Sequence, residues 1–173
     1  MDARSSDPDA PTANPNAREA IDLRGKVSDK YELRITAHYT TFNEKCQRTI
    51  NALAGVKSQI VVLEELPLGR LSGSYRSSVQ TDKYAAGHCR WTFYQVIYEL
   101  WPKGTSHAEP SAWYWLESIG SGAKESTIVR TIVCAGPSQI RKGRTQCNYP
   151  GDDRFSRPNA ISKQTEALVV NFE

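Results

Sequence analysis

The chemistry available to this chain rests mainly on four cysteines, three histidines and a short run of aromatic residues. Cys46, Cys89, Cys134 and Cys147 allow three disulfide connectivities. None forms a Cys-x-x-Cys, and no histidine stands at metal-ligand spacing from two of them. Zinc needs about four converging ligands, usually set out in short pairs, so no metal site is expected. In the one adjacent His–Cys pair, His88-Cys89, the side chains would point to opposite faces of an extended segment. The most economical reading is two structural disulfides, Cys46–Cys89 and Cys134–Cys147, the second closing a short basic loop. Each would contribute on the order of 2–5 kcal/mol.

A catalytic cysteine requires a spatially adjacent imidazole or a helix N-terminus to lower its pKa, and a sequence neighbour on a strand cannot act as its base. His38 falls on the polar face of an alternating segment, where a solvated side chain is the simplest role. His107 lies in a loop. A small secreted hydrolase would have to use one of these two imidazoles. Gly69-Arg-Leu-Ser-Gly73 has its glycines at the wrong spacing for a nucleophile elbow. No P-loop, dinucleotide fingerprint or His-Glu-x-x-His occurs. Glu64-Glu65 reads as a solvated strand end and Asp152-Asp153, after Pro150-Gly151, as turn chemistry. Two carboxylates are thin support for calcium. No catalytic residue, metal or cofactor is therefore expected, and the chain reads as a non-enzyme.

Two surface features point instead to binding. Trp113, Tyr114 and Trp115 are consecutive, so they cannot all face one side of a strand, and outward-facing Trp or Tyr anchors protein contacts. Arg141, Lys142 and Arg144 sit in the loop that a Cys134–Cys147 bridge would close. The formal charge is +3 overall, yet residues 136–163 carry a local +4 from six basic and two acidic side chains, leaving about −1 elsewhere. Such a patch steers acidic partners. Stacking on bases wants aromatics interleaved with the charges, and only Tyr149 and Phe155 come near, so nucleic acid is not expected as a partner.

The elements that must hold these residues read as strands. From Trp91 to Trp101 the chain is largely aromatic or β-branched, without Gly or Pro, as a central strand covered on both faces requires. Simple alternation puts Trp91, Phe93 and Ile97 on one face and Tyr94, Val96, Tyr98 and Leu100 on the other. Residues 31–40 alternate with Tyr31, Leu33, Ile35, Ala37 and Tyr39 inward, a half-buried antiparallel strand. Residues 43–53 suggest a short helical turn with Cys46, Ile50 and Leu53 on one side. Further strands are expected over 58–66, 126–134 and 166–172, and 72–80 reads as an edge strand guarded by Arg76. Gly120 and Gly122 mark a hairpin-like reversal. With 173 residues and hardly any helical periodicity, the chain is expected to be all-β: a single antiparallel β-sandwich over residues 21–173. Residues 1–20 hold almost nothing to bury and read as a disordered tether.

The element Gly87-x-Cys89-x-Trp91, running into a strand that continues Gln95-Val-Ile-Tyr98, resembles small disulfide-bearing β-sandwich lipoproteins of the Gram-negative periplasm. That loose group includes immunity proteins of type VI secretion systems. The resemblance implies a periplasmic protein that binds and neutralises a toxic effector, with Arg141, Lys142, Arg144, Trp113 and Trp115 as contact residues. A sugar- or anionic-lipid-binding envelope lipoprotein is the alternative. Disulfides persist in oxidising compartments, whereas Met1-Asp-Ala-Arg-Ser-Ser shows no signal peptide. The expectation is that a leader or lipid anchor, the only link to a membrane, has been lost ahead of Met1.

Overall fold

A computed structural model describes residues 7–104, 112–117, 127–135, 146–148 and 166–172. The regular structure of these residues is strand, apart from one 3-10 turn at Glu44–Cys46. In chain order the strands are β1 (Ala20–Lys26), β2 (Tyr31–Thr41), β3 (Arg48–Asn51), β4 (Val56–Ser58), β5 (Val61–Glu65) and β6 (Gly69–Leu71). They continue as β7 (Ser74–Gln80), β8 (Trp91–Pro102), β9 (Ala112–Glu117), β10 (Thr127–Ala135), β11 (Gln146–Asn148) and β12 (Ala167–Phe172). One sheet runs β11-β10-β12-β1-β7-β6, a second runs β5-β2-β8-β9, and β3-β4 form a separate ribbon.

The two larger sheets pack on one shared core, which is the sandwich expected from the sequence. Leu23, Val79, Val170 and Phe172 come from the six-stranded sheet; Ile35, Val96, Tyr98 and Leu100 come from the four-stranded one. Tyr98 bridges the layers, edge-on to Tyr75 at 6.2 Å and tilted against Phe172 at 5.9 Å. The four-stranded sheet is antiparallel throughout. The six-stranded sheet is mixed, because β12 lies parallel to both β1 and β10. Such pairing cannot come from a tight hairpin. Gly25 permits the close approach of β1 to β12: a Cβ there would lie 1.8 Å from the Val170 carbonyl oxygen.

β8 pairs with β2 and β9 and is interior to its sheet, as its composition requires. Its faces differ from simple alternation. His38 opposes Gln95 but Tyr39 opposes Phe93, so Tyr94 is an extra residue in β8. This bulge resets the parity. Trp91 and Phe93 before it, and Val96, Tyr98 and Leu100 after it, all enter the core, and Ile97 turns to the outer face.

Three other expectations are corrected. β7 is not an edge strand, since it lies between β1 and β6; Arg76 is exposed and bonds to Asp22 rather than guarding an edge. The helical turn stops at Cys46, and the chain re-enters strand at β3, leaving Ile50 and Leu53 exposed. β9 and β10 belong to different sheets, so the two are not a hairpin.

Residues 7–19 borrow their partners from the 82–91 region. Asn14 N and Ala85 N donate to Lys83 O and Thr12 O, and the Asp82 carboxylate accepts from the backbone of Arg18 and Glu19. A segment too polar to fold alone is thus tied by hydrogen bonds to the 82–91 region from Asp7 onward.

Candidate functional site

The outward-facing residues of β2, β5 and β8 line a groove with a cavity of about 670 Å³. Register assembles it. Arg34 opposes Glu99, Thr36 opposes Glu65 and Ile97, and His38 opposes Leu63 and Gln95. Side chains directly opposite on one face of an antiparallel pair are within contact range, so residues far apart in sequence form one surface.

At one end, Arg34 Nε donates to Glu99 Oε2 at 2.7 Å, and its guanidinium lies 4.8 Å from the centre of the buried Trp101 ring. The bond to Glu99, with the charges of Glu99 and Glu65, holds the Arg34 pKa above its ordinary value against the cost of burial. Two carboxylates around one guanidinium leave these three groups at a net charge of −1.

At the other end, His38 is half-buried rather than freely solvated. Its Nδ1 lies 2.7 Å from Gln95 Nε2. The amide N–H can only donate, so Nδ1 accepts and the ring proton resides on Nε2. That Nε2 is buried without a hydrogen-bond partner among the described residues. Burial lowers the His38 pKa, which keeps the imidazole neutral near pH 7. The Tyr94 ring stands edge-on to His38 at 5.1 Å and to Phe42 at 5.8 Å. Phe42 and Leu63 are both more than half exposed, at 54% and 55%. The result is an aromatic and aliphatic ledge at one end of the groove and an ion pair at the other. His38 is oriented by the Gln95 amide.

Trp113 and Trp115 hold the β9 register positions opposite Glu99 and Ile97, two groove residues. The other expected contact residues, Arg141, Lys142 and Arg144, lie outside the described residues, as do His107 and Asp152-Asp153. Glu64 is not part of the groove: it accepts from Lys83 Nζ at 2.6 Å and from the Tyr84 hydroxyl. Sequence reasoning placed Arg34, His38 and Gln95 on strands but missed the groove. Its only trace in the sequence is the polar–apolar mixture on the outward positions of three separate strands.

The Cys46–Cys89 disulfide is formed, as expected. It joins the 3-10 turn to the entrance of β8. His88 and Cys89 do not point to opposite faces, because residues 87–90 form a turn and not an extended segment. Gly87 and Arg90 adopt φ of +54° and +56°, and Trp91 N donates to Ala86 O at 2.8 Å. His88 Nε2 consequently lies 3.3 Å from Cys89 Sγ. Cys134 and Cys147 occupy directly opposed positions in β10 and β11; their expected bridge lies in side chains outside the described ones.

Among the described residues no helix is long and apolar enough to cross a membrane. Comparison with known protein families, curated proteins and solved structures finds no match to this chain.

Proposed function

We propose that this protein is a non-enzymatic binding protein of an oxidising, extracytoplasmic compartment. Its most concrete form is a periplasmic immunity protein that covers a secreted toxic effector. The observation that carries this reading is the groove on the outer face of the four-stranded sheet, where the Arg34–Glu99 pair at one end shares the lining with exposed Leu63 and half-buried Tyr94, whose ring packs edge-on to exposed Phe42. An apolar centre with aromatic anchors beside charged groups is how protein interfaces concentrate their affinity. The net negative charge of Arg34, Glu65 and Glu99 favours a partner that inserts a basic side chain beside an apolar one. The Cys46–Cys89 disulfide supports the compartment.

The test is calorimetric titration with the products of the genes flanking this one, using wild type, Leu63→Asp and Tyr94→Ala. The expectation is one partner bound at micromolar affinity or better, weakened at least about tenfold in each variant. Affinities no better than millimolar for every neighbour, or variants that bind like wild type, would sink the proposal.

A second reading is a sugar-binding envelope protein. Its support is a cavity of about 670 Å³, within the roughly 300–1,000 Å³ range of small-ligand sites, with an aromatic ring beside amide, imidazole and carboxylate groups. Glycan binding that depends on Tyr94 and Gln95, with no protein partner, would favour it.

A further inference from the structure

Four metal-binding side chains converge where the N-terminal segment crosses the entrance of β8. Asp9 Oδ1 lies 2.8 Å from His88 Nε2, 3.5 Å from Cys89 Sγ and 3.8 Å from Cys46 Sγ. His88 Nε2 lies 3.3 Å from Cys89 Sγ, and all four donor atoms fall within 4.8 Å of one another. Around tetrahedral zinc, bonds of about 2.0–2.3 Å set neighbouring ligand atoms roughly 3.3–3.8 Å apart. Three of the six edges of such a tetrahedron already have that size, at 3.3, 3.5 and 3.8 Å, and Asp9–His88 is shorter at 2.8 Å. The edge that excludes a metal is the covalent Cys46–Cys89 link, and reduction removes the bond that holds the two sulfurs together.

The backbone that carries the ligands is held from outside the cluster. The Asp9 carbonyl accepts from Trp91 Nε1 at 3.1 Å, and Asp9 N donates to Asp7 Oδ1 at 2.9 Å. Asn43 Nδ2 donates to the His88 carbonyl at 2.6 Å, and the Thr41 hydroxyl donates to the Cys89 carbonyl. Both cysteines are buried, at 1% exposure each, while the His88 side chain is 65% exposed and opens the corner to an incoming ion.

We propose that reduction of the Cys46–Cys89 disulfide converts this corner into a zinc site with Cys46, Cys89, His88 and Asp9 as its ligands. Disulfide and metal would then be alternative cross-links between the same elements. A dithiol reductant supplies two electrons and two protons: its own sulfurs become a disulfide, and Cys46 and Cys89 become thiols. Zn²⁺ displaces both thiol protons into solvent. It also binds neutral His88 through Nε2, with the ring proton on Nδ1, and one Asp9 carboxylate oxygen. Two thiolates and an imidazole select zinc over magnesium or calcium, which prefer all-oxygen sites. The arrangement would keep the entrance of β8 fastened under reducing conditions, where the disulfide cannot persist.

The test uses the full chain, reduced without oxygen by a phosphine, which leaves both thiols and is itself oxidised to the phosphine oxide with water as the oxygen source. Zn²⁺ alone is titrated against a chromophoric chelator, and Co²⁺ serves as the spectroscopic probe. The expected result is one Zn²⁺ per reduced chain, none on the oxidised chain, and a tetrahedral Co²⁺ spectrum with thiolate charge-transfer bands. Asp9→Ala and His88→Ala each weaken binding by more than about tenfold without changing the circular dichroism of the oxidised fold. Cys134→Ser/Cys147→Ser binds like wild type. The proposal is overturned by no binding tighter than micromolar on the reduced chain, or by binding indifferent to both Asp9→Ala and His88→Ala. It is equally overturned by binding lost in Cys134→Ser/Cys147→Ser, or by a β signal that disappears on reduction and does not return with Zn²⁺.

Discussion

Removing the Cys46–Cys89 bridge tests whether the entrance of β8 is fastened in the way the structure shows. The perturbation is Cys46→Ala together with Cys89→Ala, which deletes the link without leaving a buried unpaired hydroxyl. The two cysteines are 43 residues apart. The chain-entropy relation for a closed loop of that length gives a loss of about 13 cal/mol/K in the unfolded ensemble, or about 4 kcal/mol at 25 °C. The enclosed segment carries β3 to β7, so the cross-link restrains much of the N-terminal half of the unfolded chain. For a protein of this size about 4 kcal/mol corresponds to a melting-temperature drop of roughly 8–16 °C. Urea unfolding of wild type and the double variant, followed by tryptophan fluorescence, measures the difference directly. The slope of free energy against urea should also rise, because the unlinked chain exposes more surface when it unfolds. A loss below about 1 kcal/mol with an unchanged slope would refute the reasoning: the unfolded chain would then keep this segment closed without the bond.

Gly25→Ala should be poorly tolerated, because its Cβ would lie 1.8 Å from the Val170 carbonyl oxygen, whereas at Gly69 the nearest atom is at an ordinary 3.5 Å. The expected cost is about 3 kcal/mol or more at Gly25 against less than about 1 kcal/mol at Gly69, and equal melting shifts would count against the tight β1–β12 approach. Burial lowers the His38 pKa below 6.5, so the unfolded chain takes up a proton before the native one. Stability is therefore full above about pH 6.5 and declines as pH falls from there toward the lowered native value. His38→Gln should flatten that decline in urea midpoints, and an identical pH slope in the variant would remove His38 as its source. Intact mass after alkylation should show no added groups before reduction and four afterwards, one for each cysteine. Two labels without reductant would leave Cys134 and Cys147 as thiols despite their opposed register.

Much of the architecture is local chemistry and was readable from the chain. The alternation of residues 31–40 produces β2 with Leu33, Ile35, Ala37 and Tyr39 buried, because each side chain's face depends only on its position along the strand. The composition of 91–101 likewise marks an interior strand, and the cysteines, with one economical pairing, mark the bridge at its entrance. What the sequence could not determine depends on partners distant in the chain. Whether Tyr94 is a regular or an extra residue is decided by how β8 registers on β2. Whether 74–80 is an edge depends on β6 and β1 both pairing with it. Residues 7–19 take backbone partners from the 82–91 region, with Asp7 also paired to Arg48, and His88 meets Asp9 because a turn replaces the extended chain there. The groove has the same origin: Arg34, Leu63 and Gln95 are ordinary residues on three strands, and the antiparallel register of the folded sheet makes them neighbours.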